Sequence, residues 1–221
     1  MKTIRFLVEG EKDVYFFRAL FAARFSDFKE CGTPEMSKCG VMFVDENITV
    51  EVIPVGGYTK LCNVKASAED KCGDGLRVAV VFDADVTGVE QGGVLERTKF
   101  INEVISSWKL VAPPEMPIDI FLFPNNSKDG ELKNLLEEIV PQRFMPLIAE
   151  CWRRYEQCLE VHGGVKPSQK SKMNDYEAAV LGPCVWDHHG IMDGLLNPAI
   201  WDWHSPEIAP LCDFISNQLS S

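Results

Sequence analysis

Asp83 and Asp85 stand one residue apart at the end of an apolar run, Arg77-Val-Ala-Val-Val-Phe82, and are followed by Val86-Thr87-Gly88. A nearly continuous apolar run of this length suits a strand buried on both faces of a parallel sheet. Sheets of that kind meet their ligands at the carboxyl ends of their strands. Two carboxylates so close repel one another unless a cation or a shared proton intervenes. A hard divalent ion, magnesium or manganese, resolves the conflict with oxygen ligands alone. The competing local reading is a turn in which each carboxylate bonds nearby amides, with Gly88 completing it.

A second acid occupies an equivalent place near the start of the chain. Thr3-Ile-Arg-Phe-Leu-Val8 reads as a short strand ending at Glu9-Gly10, and Val14, Phe17, Leu20, Phe21 and Phe25 then recur at helical spacing from about Glu11 to Phe25. Gly10 permits the sharp turn between them. Asp13 falls in the helix's first turn, on the side of the strand end, where helix capping also accounts for an acid.

Other elements must hold these residues. Val41–Val44 and Ile48–Val55 form a hairpin around Asp45-Glu46-Asn47, and the second strand ends at Gly56-Gly57, where a backbone without side chains allows close approach by a ligand. Ser26 to Gly40 reads as a surface connection, and Asn63 to Gly75 as a polar stretch with a short helix. Val86 to Gly93 is expected to be a mobile loop over the site. Val94 to Leu110 is an amphipathic helix, and after Pro113-Pro114 comes a further strand, Ile118 to Phe123. Strands alternating with helices predict an α/β domain over residues 1–140 with a mainly parallel, Rossmann-like sheet flanked by helices.

Residues 141–221 predict a helical C-terminal extension packed on that domain. It comprises a helix from Arg143 to Val161, a loop carrying Lys166, Lys170 and Lys172, a short helix from Tyr176 to Leu181, and a last helix from Pro206 to Leu219. Asp187-His188-His189 lies in a tryptophan-rich stretch and reads as packing or surface, not as a metal site.

Composition narrows the function classes. The 221 residues are 46% hydrophobic and 25% charged, ordinary for a globular protein, and the net charge is −11. So acidic a chain does not grip phosphate backbones over its whole surface, since that contact depends on lysine and arginine. A local basic strip or contact through metal ions remains open. The eight cysteines form no Cys-x-x-Cys pair, which points away from zinc and toward reduced thiols in a cytoplasmic protein. Met1 to Val8 is too short an apolar stretch for a signal peptide or a membrane span.

Taken together, Val8-Glu9-Gly10 with Asp13, Gly56-Gly57, and Asp83-Ala84-Asp85 resemble the Toprim domain, the metal-binding α/β module of topoisomerases, primases and recombination mediators. The later part, Pro124-Asn125 and Gly130-Glu-Leu-Lys-Asn-Leu-Leu136, is similar to small stand-alone bacterial Toprim proteins akin to the overcoming-lysogenization-defect (OLD) nucleases. That resemblance implies a Toprim-like fold and a nuclease-like, magnesium- or manganese-dependent action on phosphodiesters of DNA or RNA. Glu9, Asp83 and Asp85 would hold one or two ions with Asp13 in support, Gly10, Gly56 and Gly57 would shape the site, and Lys172 or Lys170 would neutralise the reacting phosphate. Lys133 departs from the pattern, standing where the resemblance expects an acid. With no ATPase segment in the sequence, an energy-coupled step is expected to need a partner ATPase.

Two other readings stay open. A degenerate Toprim module that binds metal, nucleic acid or a partner protein would suit Lys133 and the negative charge, because the basic residues cluster only at Lys166–Lys172 and Arg153-Arg154. Asp83-Ala84-Asp85-Val86-Thr87 also matches the signature of haloacid-dehalogenase-like phosphatases, with Asp83 as nucleophile and Asp85 as general acid/base. That signature belongs on a first strand, however, and the reading leaves Glu9 without a role.

Overall fold

The computed structural model describes residues 2–31, 40–65, 76–108, 118–181, 197 and 199–220, apart from the side chains of Gln169 and Lys170. Cys39, Cys72, Cys184, the turn at Gly73 to Gly75, Pro113-Pro114, Trp186 and Asp187-His188-His189 lie outside the described residues.

Among the described residues six strands form one sheet: β1 (Lys2–Val8), β2 (Lys29–Cys31), β3 (Val41–Val44), β4 (Ile48–Pro54), β5 (Leu76–Asp83) and β6 (Asp119–Phe123), in the order β2-β3-β4-β1-β5-β6. β1 pairs in parallel with β4 and β5, and β5 with β6. β3 is antiparallel to both β2 and β4. The protein is therefore a Rossmann-like α/β fold with a mostly parallel sheet.

Period-2 alternation explains why the central strands are apolar throughout. Ile4, Phe6 and Val8 of β1, with Ala79 and Val81 of β5 and Phe121 and Phe123 of β6, face one core. Leu7, Val78, Val80, Phe82 and Leu122 face the other. The first core is covered by α1 (Glu11–Arg24), whose Phe16, Phe17, Leu20 and Phe21 are fully buried. The Phe21 ring stacks on Phe43 with centroids 4.4 Å apart. The second core is covered by α2 (Val94–Ser107) and a 3-10 helix, Tyr58–Val64.

β1 and β5 are parallel, but the chain winds away from them toward opposite edges of the sheet. From β1 the chain runs through α1 on one face to β2, β3 and β4 on one side of β1, whereas from β5 it runs through α2 on the opposite face to β6 on the other side. The gap beyond the carboxyl ends of β1 and β5 is the topological switch point, where such sheets leave a crevice.

The remaining helices are α3 (Leu132–Glu138), α4 (Arg153–Val161), α5 (Gln169–Leu181) and α6 (Ala209–Ser220). The first core continues into them without a break at position 140: Ile148, Met173, Tyr176, Trp201, Trp203, Leu211 and Ile215 are buried with residues of β1 and α1. The Phe214 ring of α6 sits 5.4 Å from Phe121 and 6.4 Å from Phe6. Gln218 Nε2 donates to Asp119 Oδ2 at 2.9 Å.

Three segments differ from the local expectation. The Ser26 to Gly40 connection contains β2, an exposed Lys-Glu-Cys strand with no apolar alternation, which only its pairing with β3 makes a strand. Arg143 to Val161 is not one helix. A 3-10 turn at Gln142–Phe144, a π turn at Leu147–Trp152 and α4 follow in succession, because Pro146 brings no N–H to the ladder. Helix α5 begins well before Tyr176, so Lys170 and Lys172 are helical; the burial of Met173 and Tyr176 extends it.

Candidate functional site at the switch point

Glu9 leaves the end of β1, and its backbone is fastened to the neighbouring strand end. The Gly56 and Gly57 amides donate to the Glu9 carbonyl at 3.0 and 2.8 Å, with φ of +82° and +109° that an L side chain would resist. The glycine pair thus fixes the loop that carries Glu9. The Glu9 carboxylate accepts from the Asp83 amide at 3.4 Å, tying the ends of β1 and β5 together.

Asp13 turns back over the start of α1, where its Oδ2 accepts from Gly10 N at 2.7 Å and caps the helix. Asp83 Oδ1 accepts from Leu132 N at 2.7 Å, so a second helix, α3, also begins at this point. Glu9, Asp13 and Asp83 line one cavity of about 260 Å³ with Glu11, Lys12, Lys133, Asn174 and Glu177. Its apolar wall is Leu132, Leu136 and Met173.

The carboxyl groups act on one another. Burial lifts the Asp83 carboxyl well above the usual range, Asp13 and Glu9 lift it further, and the Leu132 amide only partly opposes them. Asp13 is pushed up to about 7, first by burial and then by Glu9, against the Gly10 amide. Glu9 is raised by burial, with Arg97 as the main opposing charge. An acidic pocket in this condition is stabilised by anything that brings positive charge, a proton or a cation.

Asp85 takes a different place. Its φ is +58°, and its backbone exchanges two hydrogen bonds of 2.8 Å with Gly130. Its carboxylate is bound by Arg97 of α2, whose side chain is wholly buried and lies 3.6 Å over the Tyr58 ring. The loop that follows is held by Asp129, which accepts from Thr87 Oγ1 and from Val94 N at 2.9 Å. Lys172 lies outside the acidic cavity. It is bonded to Glu137 and lines a separate recess with Leu147, Ile148 and Trp152. Lys133 is at the cavity and paired with Glu131.

The structure thus brings Glu9, Asp13 and Asp83 together, with Gly10 beside them and Gly56-Gly57 behind, and directs Asp85 to Arg97. Arg97 and Glu177 were not anticipated from sequence. A signal for Arg97 existed: it stands four residues before Ile101 on the buried side of an amphipathic helix, where a charge needs a partner. Glu177 had no comparable local signal.

As donors, these side chains fit a hard cation: all are carboxylate oxygens, and they are crowded enough to raise one another's proton affinity. As they stand, no group of three acidic, histidine or cysteine side chains among the described residues is arranged to hold a metal ion.

The chain belongs to the DUF3226 family, described as proteins of unknown function, whose family model matches residues 3–219. It is similar in fold to a hypothetical protein from Pyrococcus horikoshii OT3 known from a crystal structure: the TM-score is 0.58 at 17% identity, covering 100% of this chain and 95% of that one. Identity this low shows a shared fold alone. No curated protein matches the chain. Among the described residues no helix is long and apolar enough to cross a membrane.

Proposed function

We propose that this protein is a Toprim-like, magnesium- or manganese-dependent handler of phosphodiesters, with DNA or RNA as the substrate class. The observation that supports this reading best is the meeting of Glu9, Asp13 and Asp83 in one cavity at the switch point, with two helices starting beside it. A bound cation would supply charge neutralisation for phosphoryl oxygens and a more acidic water. The chain's own contribution is positional. Leu132 N fixes one oxygen of Asp83, the Asp83 and Tyr58 amides fix Glu9, and Gly10 N fixes Asp13. Lys12 and Lys133 bring positive charge to the cavity, where a phosphate would lie. With a net charge of −11, contact with nucleic acid rests on this site and not on a broad basic surface.

A binding-only module is the second reading, favoured by the pairing of Lys133 with Glu131 at the cavity. The phosphatase reading has less support, because Asp85, its general acid, is engaged by Arg97. Free Cys31, Cys62, Cys151, Cys158 and Cys212 accord with a cytoplasmic, reducing location.

The test is calorimetric titration of Mg²⁺ and Mn²⁺ into the parent and into Glu9→Gln and Asp83→Asn, with plasmid nicking on the same samples. Binding lost in both variants, with nicking by the parent alone, is the expected result. Binding without nicking selects the module that only binds. A parent that takes up neither ion, or variants that bind as the parent does, would sink the cation site.

A further inference from the structure

Helix α4 is amphipathic yet buries none of its residues. Tyr155 and Val161 on it, and Val165 just beyond, are 49%, 79% and 87% exposed. A helix patterned in this way ordinarily lays its apolar stripe on a partner. Its charge also sets it apart. Residues 151–172 hold five arginines and lysines against two glutamates, in a chain whose net charge is −11. Lys172 is bonded to Glu137, and Lys166 lies 3.7 Å from Glu156. Arg153 and Arg154 are exposed, and neither forms an ion pair among the described residues.

Beside this helix lies an aromatic recess of about 340 Å³, walled by Trp152, Tyr155, Tyr176, Leu147 and Ile148. The Trp152 and Tyr155 rings meet at 61° with centroids 5.6 Å apart. The Tyr176 hydroxyl donates to the Ile200 carbonyl at 2.7 Å, which holds its ring in place. Trp152 Nε1 is buried and has no hydrogen-bond partner among the described residues. A buried indole N–H calls for an acceptor, and the rings around it favour a flat partner that stacks. An unpaired nucleobase offers both. Along the chain the run Trp152-Arg153-Arg154-Tyr155 interleaves ring and cation, the combination that holds single strands by stacking and by phosphate contact. A basic amphipathic helix also suits an anionic membrane surface, but a lipid headgroup has no use for the aromatic recess.

We propose that α4 and the recess beside it form a docking arm for single-stranded nucleic acid, with one base among Trp152, Tyr155 and Tyr176 and the neighbouring phosphates on Arg153 and Arg154. This rests on the reading of nucleic acid as the substrate class and extends it beyond the acidic cavity. Helix α5 joins the two places. Met173, Asn174 and Glu177 line the cavity from one side of it, and Lys172, Asp175, Tyr176 and Ala179 line the recess from the other. A strand held by the arm therefore lies one helix width, about 10 Å, from the cavity.

The test is fluorescence anisotropy of a short labelled oligothymidylate titrated with the full chain in EDTA, so that no divalent ion contributes, over a range of salt. The parent is expected to bind, with affinity falling as salt rises. Reversing both arginines, Arg153→Glu with Arg154→Glu, should weaken binding by roughly tenfold or more. Tyr155→Ala should weaken it by roughly fivefold or more, whereas Tyr155→Phe, which keeps the ring, should bind as the parent does. Lys99→Glu, a charge reversal at an exposed position of α2, should also bind as the parent. Thermal melting of each variant shows that it is folded. A duplex of the same strand should bind more weakly, because its bases are stacked and paired. Parent-like affinity in the double arginine variant, or equal affinity for strand and duplex, overturns the arm. So does a parent that binds vesicles containing phosphatidylserine but not the strand. Mg²⁺-dependent nicking by a parent that binds no strand in EDTA leaves the cavity reading standing and overturns the arm. Strand binding that needs Arg153 and Arg154, in a parent that takes up neither Mg²⁺ nor Mn²⁺, supports the arm and sinks the cation site.

Discussion

Asp85 and Arg97 form an ion pair in which the guanidinium has no exposure to solvent and the carboxylate is 29% exposed. Arg97 Nε and Nη1 have no hydrogen-bond partner among the described residues, so Asp85, the face of Tyr58 and the nearby Glu9 carboxylate carry the compensation of that charge. Removing one side of such a pair leaves a buried charge uncompensated. Asp85→Ala should therefore cost about 3–5 kcal/mol. Combining it with Arg97→Met should cost less than the sum of the two single changes, because neither charge is then left alone. Urea unfolding of the two single variants and the double variant measures this. Additive costs would show that the pair is not coupled.

The two strand-end aspartates should differ toward a cation. Asp83→Asn removes a charge from the crowded pocket and should weaken Mg²⁺ binding by roughly 2–5 kcal/mol. The fold should persist, since an asparagine oxygen can still accept from Leu132 N. Asp85→Asn, whose carboxylate is directed to Arg97, should reduce stability and leave the affinity of the folded protein nearly unchanged. Calorimetry on both variants, corrected for the folded fraction, separates the two roles. Equal losses of affinity would make Asp85 a ligand.

Stability of the cation-free protein should fall as pH rises from about 4 through about 7. Asp13 and Glu177 titrate near 7 in the folded chain, against ordinary values of 3.8 and 4.5. Asp83 is raised in the same direction. Between the ordinary and the raised values the folded chain holds protons that the unfolded chain has released, so raising the pH favours unfolding. The effect should be on the order of a few kcal/mol, and Mg²⁺ at pH 8 should restore much of it by taking the protons' place. Asp129, held below the usual range by its bond from Thr87, acts oppositely and only under more acidic conditions. Urea midpoints at pH 5 and pH 8, in EDTA and in Mg²⁺, check the sign. A midpoint that rose from pH 5 to pH 8 in EDTA would refute it.

The C-terminal segment should be inseparable from the sheet. Trp203 is 3% exposed, its ring lies 5.5 Å from Phe16, and its carbonyl accepts from Arg24 Nη1 at 2.8 Å. Trp203→Ala should cost about 3–5 kcal/mol. The loss should appear as one cooperative transition by both circular dichroism and tryptophan fluorescence. Two separated transitions would indicate an extension that unfolds by itself.

Lys172 is expected to act on structure and not on the cation. Its ammonium is bonded to Glu137 of α3 in a largely sheltered setting. Lys172→Met should lower the urea midpoint and leave Mn²⁺ affinity as in the parent. An unchanged midpoint with lost affinity would return Lys172 to the site.

Local pattern was enough to place the central strands, because burial on both faces writes itself as an unbroken apolar run in β1, β5 and β6. It also placed α1 and α2 through their helical period, and it put Glu9 and Asp83 at strand ends, where a parallel sheet collects its ligands. β2 escaped because an exposed edge strand of Lys-Glu-Cys carries no alternation to read.

What sequence could not decide was which charges meet. Asp83 and Asp85 look alike along the chain, yet one points its chemistry to Leu132 N and the acidic cavity and the other to Arg97. Lys172 and Glu177 sit on the same helix, one bonded to Glu137 and the other lining the cavity with Asp13. Periodicity is a property of neighbours within a few residues, whereas these pairings join positions far apart in sequence and exist only once the sheet has set its strand order and the C-terminal helices have packed on it. The sequence by itself determined the α/β architecture and the acids at its strand ends; tertiary packing determined which of those acids share a pocket, because only in three dimensions do desolvation and neighbouring charge act on them together.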